Sequence, residues 1–105
     1  MRLVKVVILL STVVLLGCTQ SESATNAEVL KLMEQSQFDA AIIKLKPKTG
    51  WFSRDAKANY MMAVALIRKE DPEITRSKKY KNKAESLGYE VPLWYDNYAV
   101  KLENQ

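Results

Sequence analysis

The chain has no histidine and a single cysteine, Cys18, in its 105 residues. The missing imidazole removes the commonest general base and metal ligand. A lone cysteine excludes an internal disulfide framework and a zinc knuckle. Three glycines and three prolines are too few for a turn-rich β-sandwich or a low-complexity chain. At 105 residues there is room for one small domain, and none for a doubly wound nucleotide fold or a closed α/β barrel. No His-Glu-x-x-His, Gly-x-Ser-x-Gly, Walker loop or Gly-rich dinucleotide fingerprint occurs. Paired carboxylates could still do acid–base work without histidine. The nearest cluster, Glu70, Asp71 and Glu73, sits where one helix is expected to end and the next to begin, so capping and dipole complementarity explain it. These absences point away from an enzyme and give no reason to expect a cofactor or a bound metal.

What is present begins with the first eighteen residues, MRLVKVVILLSTVVLLGC. Arg2 and Lys5 make a positive start, and Val6–Leu16 is an apolar run broken only by Ser11 and Thr12. The run is too short for a plain transmembrane anchor, which needs about 20 apolar residues, and it suits the core of a signal peptide. It ends in Leu15-Leu16-Gly17-Cys18, which resembles the lipobox of bacterial lipoproteins. That resemblance implies cleavage before Cys18, a diacylglyceryl thioether on its sulfur, and a further fatty-acyl chain such as palmitate on its new amino group. More than one chain is what stable anchoring requires. Thr19, rather than aspartate, follows the cysteine. In a Gram-negative envelope this implies the periplasmic leaflet of the outer membrane.

Losing Arg2 and Lys5 with the signal lowers the side-chain net charge from +4 to +2. The expected organisation is a signal peptide at 1–17, a lipidated cysteine with a flexible tether at 18–26, and a domain at 27–105. The tether, Thr19–Asn26, is polar and without hydrophobic periodicity. Fully extended, it spans roughly 26–29 Å, which keeps the domain close to the membrane.

The remainder reads as all-α, built of short antiparallel helices. Thr25 and Glu28 have the spacing of a capping box ahead of Val29, Leu32 and Met33. Phe38, Ala41, Ile42 and Leu45 share one helical stripe, which Pro47 and Gly50 stop. Ser53 can cap a third helix, with Ala56, Tyr60, Ala63, Val64 and Ile67 on one face, widened by Met62 and Leu66, so this helix should be the most buried. Phe38, Ile42, Tyr60, Val64 and Ile67 are expected to share a core. Asp71-Pro72-Glu73 reads as the start of a fourth helix and Gly88 as its stop. Pro92 can open a fifth, carrying Trp94, Tyr98 and Leu102.

Ser36-Gln-Phe38-Asp-Ala-Ala41-Ile42 resembles the turn and second-helix opening of a tetratricopeptide repeat, commonly Gly-x-Tyr-x-x-Ala-Ile, and Leu45 stands where that family has Phe. One ~34-residue period on, Asn59-x-x-Met62-Ala63-x-x-Leu66 stands in place of Trp-x-x-Leu-Gly-x-x-Tyr. The aromatic anchor is missing there, and the register fails after Asp71. The resemblance covers about Ala27–Leu66 and implies stacked helical hairpins, with Ala41 and Ala63 allowing close helix approach.

Two features bear on binding. The run Arg76, Lys78, Lys79, Lys81, Lys83, interrupted by Tyr80, places Arg76, Lys79 and Lys83 on one side of a helix. It is either a solvated face or a patch for anionic lipid or surface polymer. Nucleic acid is a poor partner for an exported protein. The aromatics Trp51, Phe52 and Trp94 either plug the ends of a small core or stay exposed as partner-binding anchors.

Three functions are open. The first is a lipid-anchored adaptor that holds another envelope protein, a design that resembles pilotin-like and assembly-factor lipoproteins. The second is a membrane-surface module whose basic helix grips anionic lipid or polymer. The third is a small plasmid- or phage-type lipoprotein for exclusion or release.

Overall fold

The computed structural model describes residues 25–105, and among them every regular element is helical. The expected signal peptide, Cys18 and the expected tether up to residue 24 lie outside the described residues. In chain order the elements are α1 (residues 25–34), α2 (Phe38–Leu45), a 3-10 turn over Lys46–Lys48, α3 (Ala56–Arg68), α4 (Ile74–Ser86) and α5 (Leu93–Glu103). Neighbours in sequence pack as helical hairpins: α2 against α3, α3 against α4, and α4 against α5. The all-α architecture expected from the periodicity is the one observed.

Helix α3 is the centre of the molecule. Ala58, Asn59 and every residue from Met61 to Ile67 are buried. A single apolar face would leave gaps in that run, so unbroken burial means that α3 is covered on more than one side. On one side, Ala58, Met61, Met62, Ala65 and Leu66 pack with Val29 of α1 and with Ala41, Ile42 and Leu45 of α2. On the other, Ala63 and Ile67 pack with Tyr95 and Ala99 of α5. Tyr80 of α4 touches both groups. The expected single core of Phe38, Ile42, Tyr60, Val64 and Ile67 is therefore divided. Ile42 and Phe38 belong to the first group and Ile67 to the second, while Tyr60 stacks on Tyr89 with ring centroids 4.6 Å apart. Helical periodicity identifies an inward face, but it does not say which neighbour covers each residue.

The helix ends follow ordinary capping chemistry, at positions that partly differ from those expected. Thr25 and Glu28 both lie in the first turns of α1, and the Glu28 carboxylate accepts from Lys44 of α2 at 2.8 Å. Ser36 takes a left-handed φ of +59°, while Ser36 and Gln37 donate back to the carbonyls of Met33 and Leu32. This is the position where the repeat-like motif would carry glycine. Asp55, not Ser53, caps α3, its carboxylate accepting from the Ala58 amide at 3.0 Å. Ser53 organises the preceding loop: its hydroxyl donates to the Lys48 carbonyl and accepts from the Asp55 amide and the Asn59 side chain, both at 3.2 Å.

Helix α4 begins at Ile74, so Pro72 precedes its first turn rather than occupying it. Gly88, at φ +96°, ends that helix as expected, with Gly88 and Tyr89 donating to Glu85 and Ala84 at 3.0 Å. Pro92 is the N-terminal flanking residue of α5. The residues that α5 buries completely are Tyr95 and Ala99, with Trp94, Tyr98 and Leu102 packed beside them.

Candidate functional site

The 3-10 turn and the N-cap of α3 leave a loop, residues 49–54, that projects Trp51 and Phe52 into solvent at 85% and 90% exposure. Neither side chain is a core plug. Loop geometry explains this. Thr49 points inward and its hydroxyl donates to the Leu45 carbonyl at 2.9 Å, while Ser53 secures the far side through the Lys48 carbonyl. The loop is thus held by polar atoms, which leaves its two largest side chains free of any packing role.

The loop also meets the basic helix. The Lys83 ammonium of α4 donates to the Gly50 carbonyl at 2.7 Å and to the Trp51 carbonyl at 3.2 Å. Thr49, Gly50, Trp51, Lys79, Tyr80 and Lys83 line a groove of about 340 Å³ between the loop and α4. The aromatic turn and the basic run, two separate features in the sequence, form one site.

The basic run itself is divided. Arg76 turns back to Glu73 at 3.2 Å, an ion pair that raises the guanidinium further. Lys78 pairs with Glu103 of α5. Lys81 sits 2.8 Å from Glu85 and 3.4 Å from Asp96, and the hydrogen bond to Glu85 holds its ammonium above the ordinary range. Lys79 and Lys83 have no carboxylate within ion-pair distance among the described residues. The expected trio of Arg76, Lys79 and Lys83 is thus reduced to the two lysines that face the groove, because Glu73 neutralises Arg76.

Trp94 lies elsewhere. It is half-buried on α5, with the Arg68 guanidinium 4.4 Å from its ring centroid and Tyr98 against its edge. Of the three aromatic candidates, the structure brings together Trp51 and Phe52 and leaves Trp94 in a packed cluster. The residues that sequence reading missed at the groove are Thr49, Gly50 and Tyr80. Tyr80 was visible only as an interruption of the basic run, and the contact of Lys83 with Gly50 joins residues 33 positions apart, for which the sequence carries no periodic signal.

Of the acidic cluster, Glu73 is tied into ion pairs, while Glu70 and Asp71 are exposed. Glu73 accepts from Lys69 at 2.8 Å and from Arg76, and these two cations hold its carboxyl below the ordinary range. Among the described residues no group of three His, Cys, Asp or Glu side chains is placed to hold a metal. No helix among them is long and apolar enough to cross a membrane.

Comparison with protein-family models, curated proteins and solved structures finds no match to this chain.

Proposed function

We propose that the chain is a lipid-anchored binding module of the cell envelope, tied to a membrane through Cys18, that works at the membrane surface through the Trp51–Lys83 end of its helical domain. The observation that carries this reading is a groove lined by the solvated Trp51 and by two lysines without carboxylate partners among the described residues, with the solvated Phe52 next to Trp51 on the loop. Aromatic rings and lysines side by side suit the boundary between headgroups and acyl chains, where rings sit in the interface and cations meet anionic lipid.

A second reading, an adaptor holding another envelope protein, is favoured by the shape of the site. A concave groove of about 340 Å³ beside an exposed tryptophan has the size and composition of an anchor-residue pocket. The two readings share the lipid anchor and differ in what fills the groove.

Affinity capture from detergent-solubilised envelopes, analysed for both protein and phospholipid, separates them. On the membrane-surface reading, wild type retains anionic phospholipid, and Lys79→Glu/Lys83→Glu or high salt strips it away as screening shortens to about 3 Å at 1 M. On the adaptor reading, one protein is retained in high salt and is lost with Trp51→Ala in a domain that keeps its helical spectrum. The anchor is tested independently: Cys18→Ser should abolish labelling by a fatty-acid probe, and undiminished labelling would refute it.

A further inference from the structure

We infer that the Trp51–Phe52 loop is a membrane-insertion element that sets the orientation of the domain, with its two rings entering the headgroup boundary of an anionic bilayer and Lys79 and Lys83 taking lipid phosphates at the mouth of the groove. The inference rests on the membrane-surface reading above and adds to it a depth, an orientation and a ligand class.

The first argument is where the chain leaves the domain. Asn26, near the start of α1, accepts a hydrogen bond from the Lys48 ammonium at 3.3 Å. Lys48 closes the 3-10 turn three residues before Trp51. The end of the bundle from which the chain runs back to Cys18 is therefore the end that carries the exposed rings. Between Cys18 and Thr25, where α1 begins, the backbone reaches at most about 23–25 Å, so a lipidated Cys18 holds this end, rather than the α5 side, nearest the bilayer.

The second argument is charge. Lys46, Arg54 and Lys57 are exposed on the chain flanking the loop, and α4 adds Lys79 and Lys83. The one carboxylate between residues 46 and 57, Asp55, is engaged with the α3 amide of Ala58. An aromatic tip flanked along the chain by cations, with two α4 lysines beside it at the groove, matches an anionic surface and repels a basic one.

The third argument is that the loop is prepared for desolvation. Backbone carbonyls that leave water unpaired carry a heavy penalty in an apolar layer. At this tip the Gly50 carbonyl accepts from Lys83 and from the Ser53 amide at 2.9 Å, and the Trp51 carbonyl accepts from Lys83. The Trp51 ring can therefore enter the interface while the Gly50 and Trp51 carbonyls keep their partners.

The test uses the full lipidated chain reconstituted into vesicles of phosphatidylcholine alone or of phosphatidylcholine and phosphatidylglycerol in equal parts. With Trp94→Phe, Trp51 is the remaining indole. The expected result is a blue-shifted Trp51 emission, quenched by more than half by lipids brominated near the headgroup, in the phosphatidylglycerol vesicles. High salt or Lys79→Glu/Lys83→Glu should largely reverse it. The Trp51→Phe variant, which keeps Trp94 and its packing, should show no such quenching; this control also holds if Trp94→Phe folds poorly. A chain that floats with the vesicles while Trp51 keeps a solvated, unquenched emission overturns insertion and leaves the lipid anchor standing. Equal quenching in both vesicle types overturns the anionic ligand. A chain that does not float refutes the anchor and the insertion together.

Discussion

Two aromatic pairs in this chain, Trp51–Phe52 and Trp94–Tyr95, have opposite fates. Trp51 and Phe52 are almost wholly solvated, whereas Tyr95 retains 1% of its exposure and Trp94 is packed under Arg68. Composition does not distinguish them; their settings do. Trp94 and Tyr95 stand on a helix, so the 3.6-residue period turns Tyr95 and Ala99 together onto Ala63 and Ile67. The buried phenol has a polar partner waiting, the Ser77 hydroxyl at 2.6 Å. Ser77 in turn donates to the Ala63 carbonyl at 2.5 Å, so three elements meet at one satisfied polar point. Trp51 and Phe52 stand on a loop whose polar groups hold its shape without them. Burial of an aromatic pair is thus decided by whether an element turns it inward and whether its polar atoms are met there. A pair that meets neither condition stays in solvent, as Trp51 and Phe52 do.

The largest effect that would break this comparison comes from truncation. Tyr95→Ala removes a fully buried ring and should cost about 3–5 kcal/mol, a substantial part of a small domain's stability. Ile67→Ala, in the same cluster, should cost about 2–5 kcal/mol, and so should Ile42→Ala on the opposite side of α3. Trp51→Ala and Phe52→Ala should stay within about 0.5 kcal/mol of wild type, because both rings are almost wholly solvated. Denaturant melts of the five variants measure this directly. A loss above about 2 kcal/mol at Trp51 would show that the loop ring has a structural role after all.

How much of this was legible in the sequence follows the same division. The helices, the centrality of α3 and the stop at Gly88 were readable because they depend on local period and backbone preference. The groove was not. It requires Lys83 to reach Gly50 and Trp51 from another helix, across 33 and 32 positions, which leaves no trace at short sequence spacing. The pairing of Arg76 with Glu73, by contrast, has i,i+3 spacing and was open to a reading of the charges. Ser53 and Asp55 were both plausible caps from residue type. The choice fell to Asp55 because Ser53 is occupied with Lys48 and Asn59. Asn59 itself, where the repeat-like register would place tryptophan, is buried with its amide nitrogen bonded to Ser53 and to the Asp55 carbonyl. The loop thus satisfies the amide nitrogen of this polar residue, while its buried Oδ1 has no hydrogen-bond partner among the described residues.

Each aromatic pair also has one cation, and exchanging the cations sharpens the comparison at smaller magnitude. Arg68 lies over the Trp94 ring, so Arg68→Ala removes a cation–π contact at a partly exposed site and should cost about 0.5–1 kcal/mol. Lys83 serves the Trp51 backbone and not its ring, so Lys83→Ala should release the loop with a global loss of about 1 kcal/mol or less. The readouts differ in kind. Arg68→Ala should appear in the melting midpoint, and Lys83→Ala in faster amide exchange confined to residues 50–53. If Lys83→Ala cost well over about 1 kcal/mol of global stability, the loop would have to be counted as part of the core.

The smallest expected effect concerns alkali, and it separates the pairs by protonation. Burial pushes the Tyr95 phenol above its ordinary value, as it does for Tyr60. A phenol harder to ionise in the folded chain than in the unfolded one contributes stability that is complete below the unfolded value of about 10 and fades as pH rises through the folded one. The ammonium groups of Lys69 and Lys81, raised by Glu73 and Glu85, act with the same sign. Stability should therefore fall above pH ~10. Tyr95→Phe keeps the ring, gives up the hydrogen bond to Ser77 at about 1 kcal/mol, and should show a shallower alkaline loss, since one raised group has been removed and Tyr60 and the lysines persist. Denaturant melts of wild type and Tyr95→Phe on either side of that pH provide the measurement. Trp51→Phe, at the solvated pair, should reproduce the wild-type slope. An unchanged slope in Tyr95→Phe would mean that the alkaline sensitivity belongs to Tyr60 and the ion pairs alone.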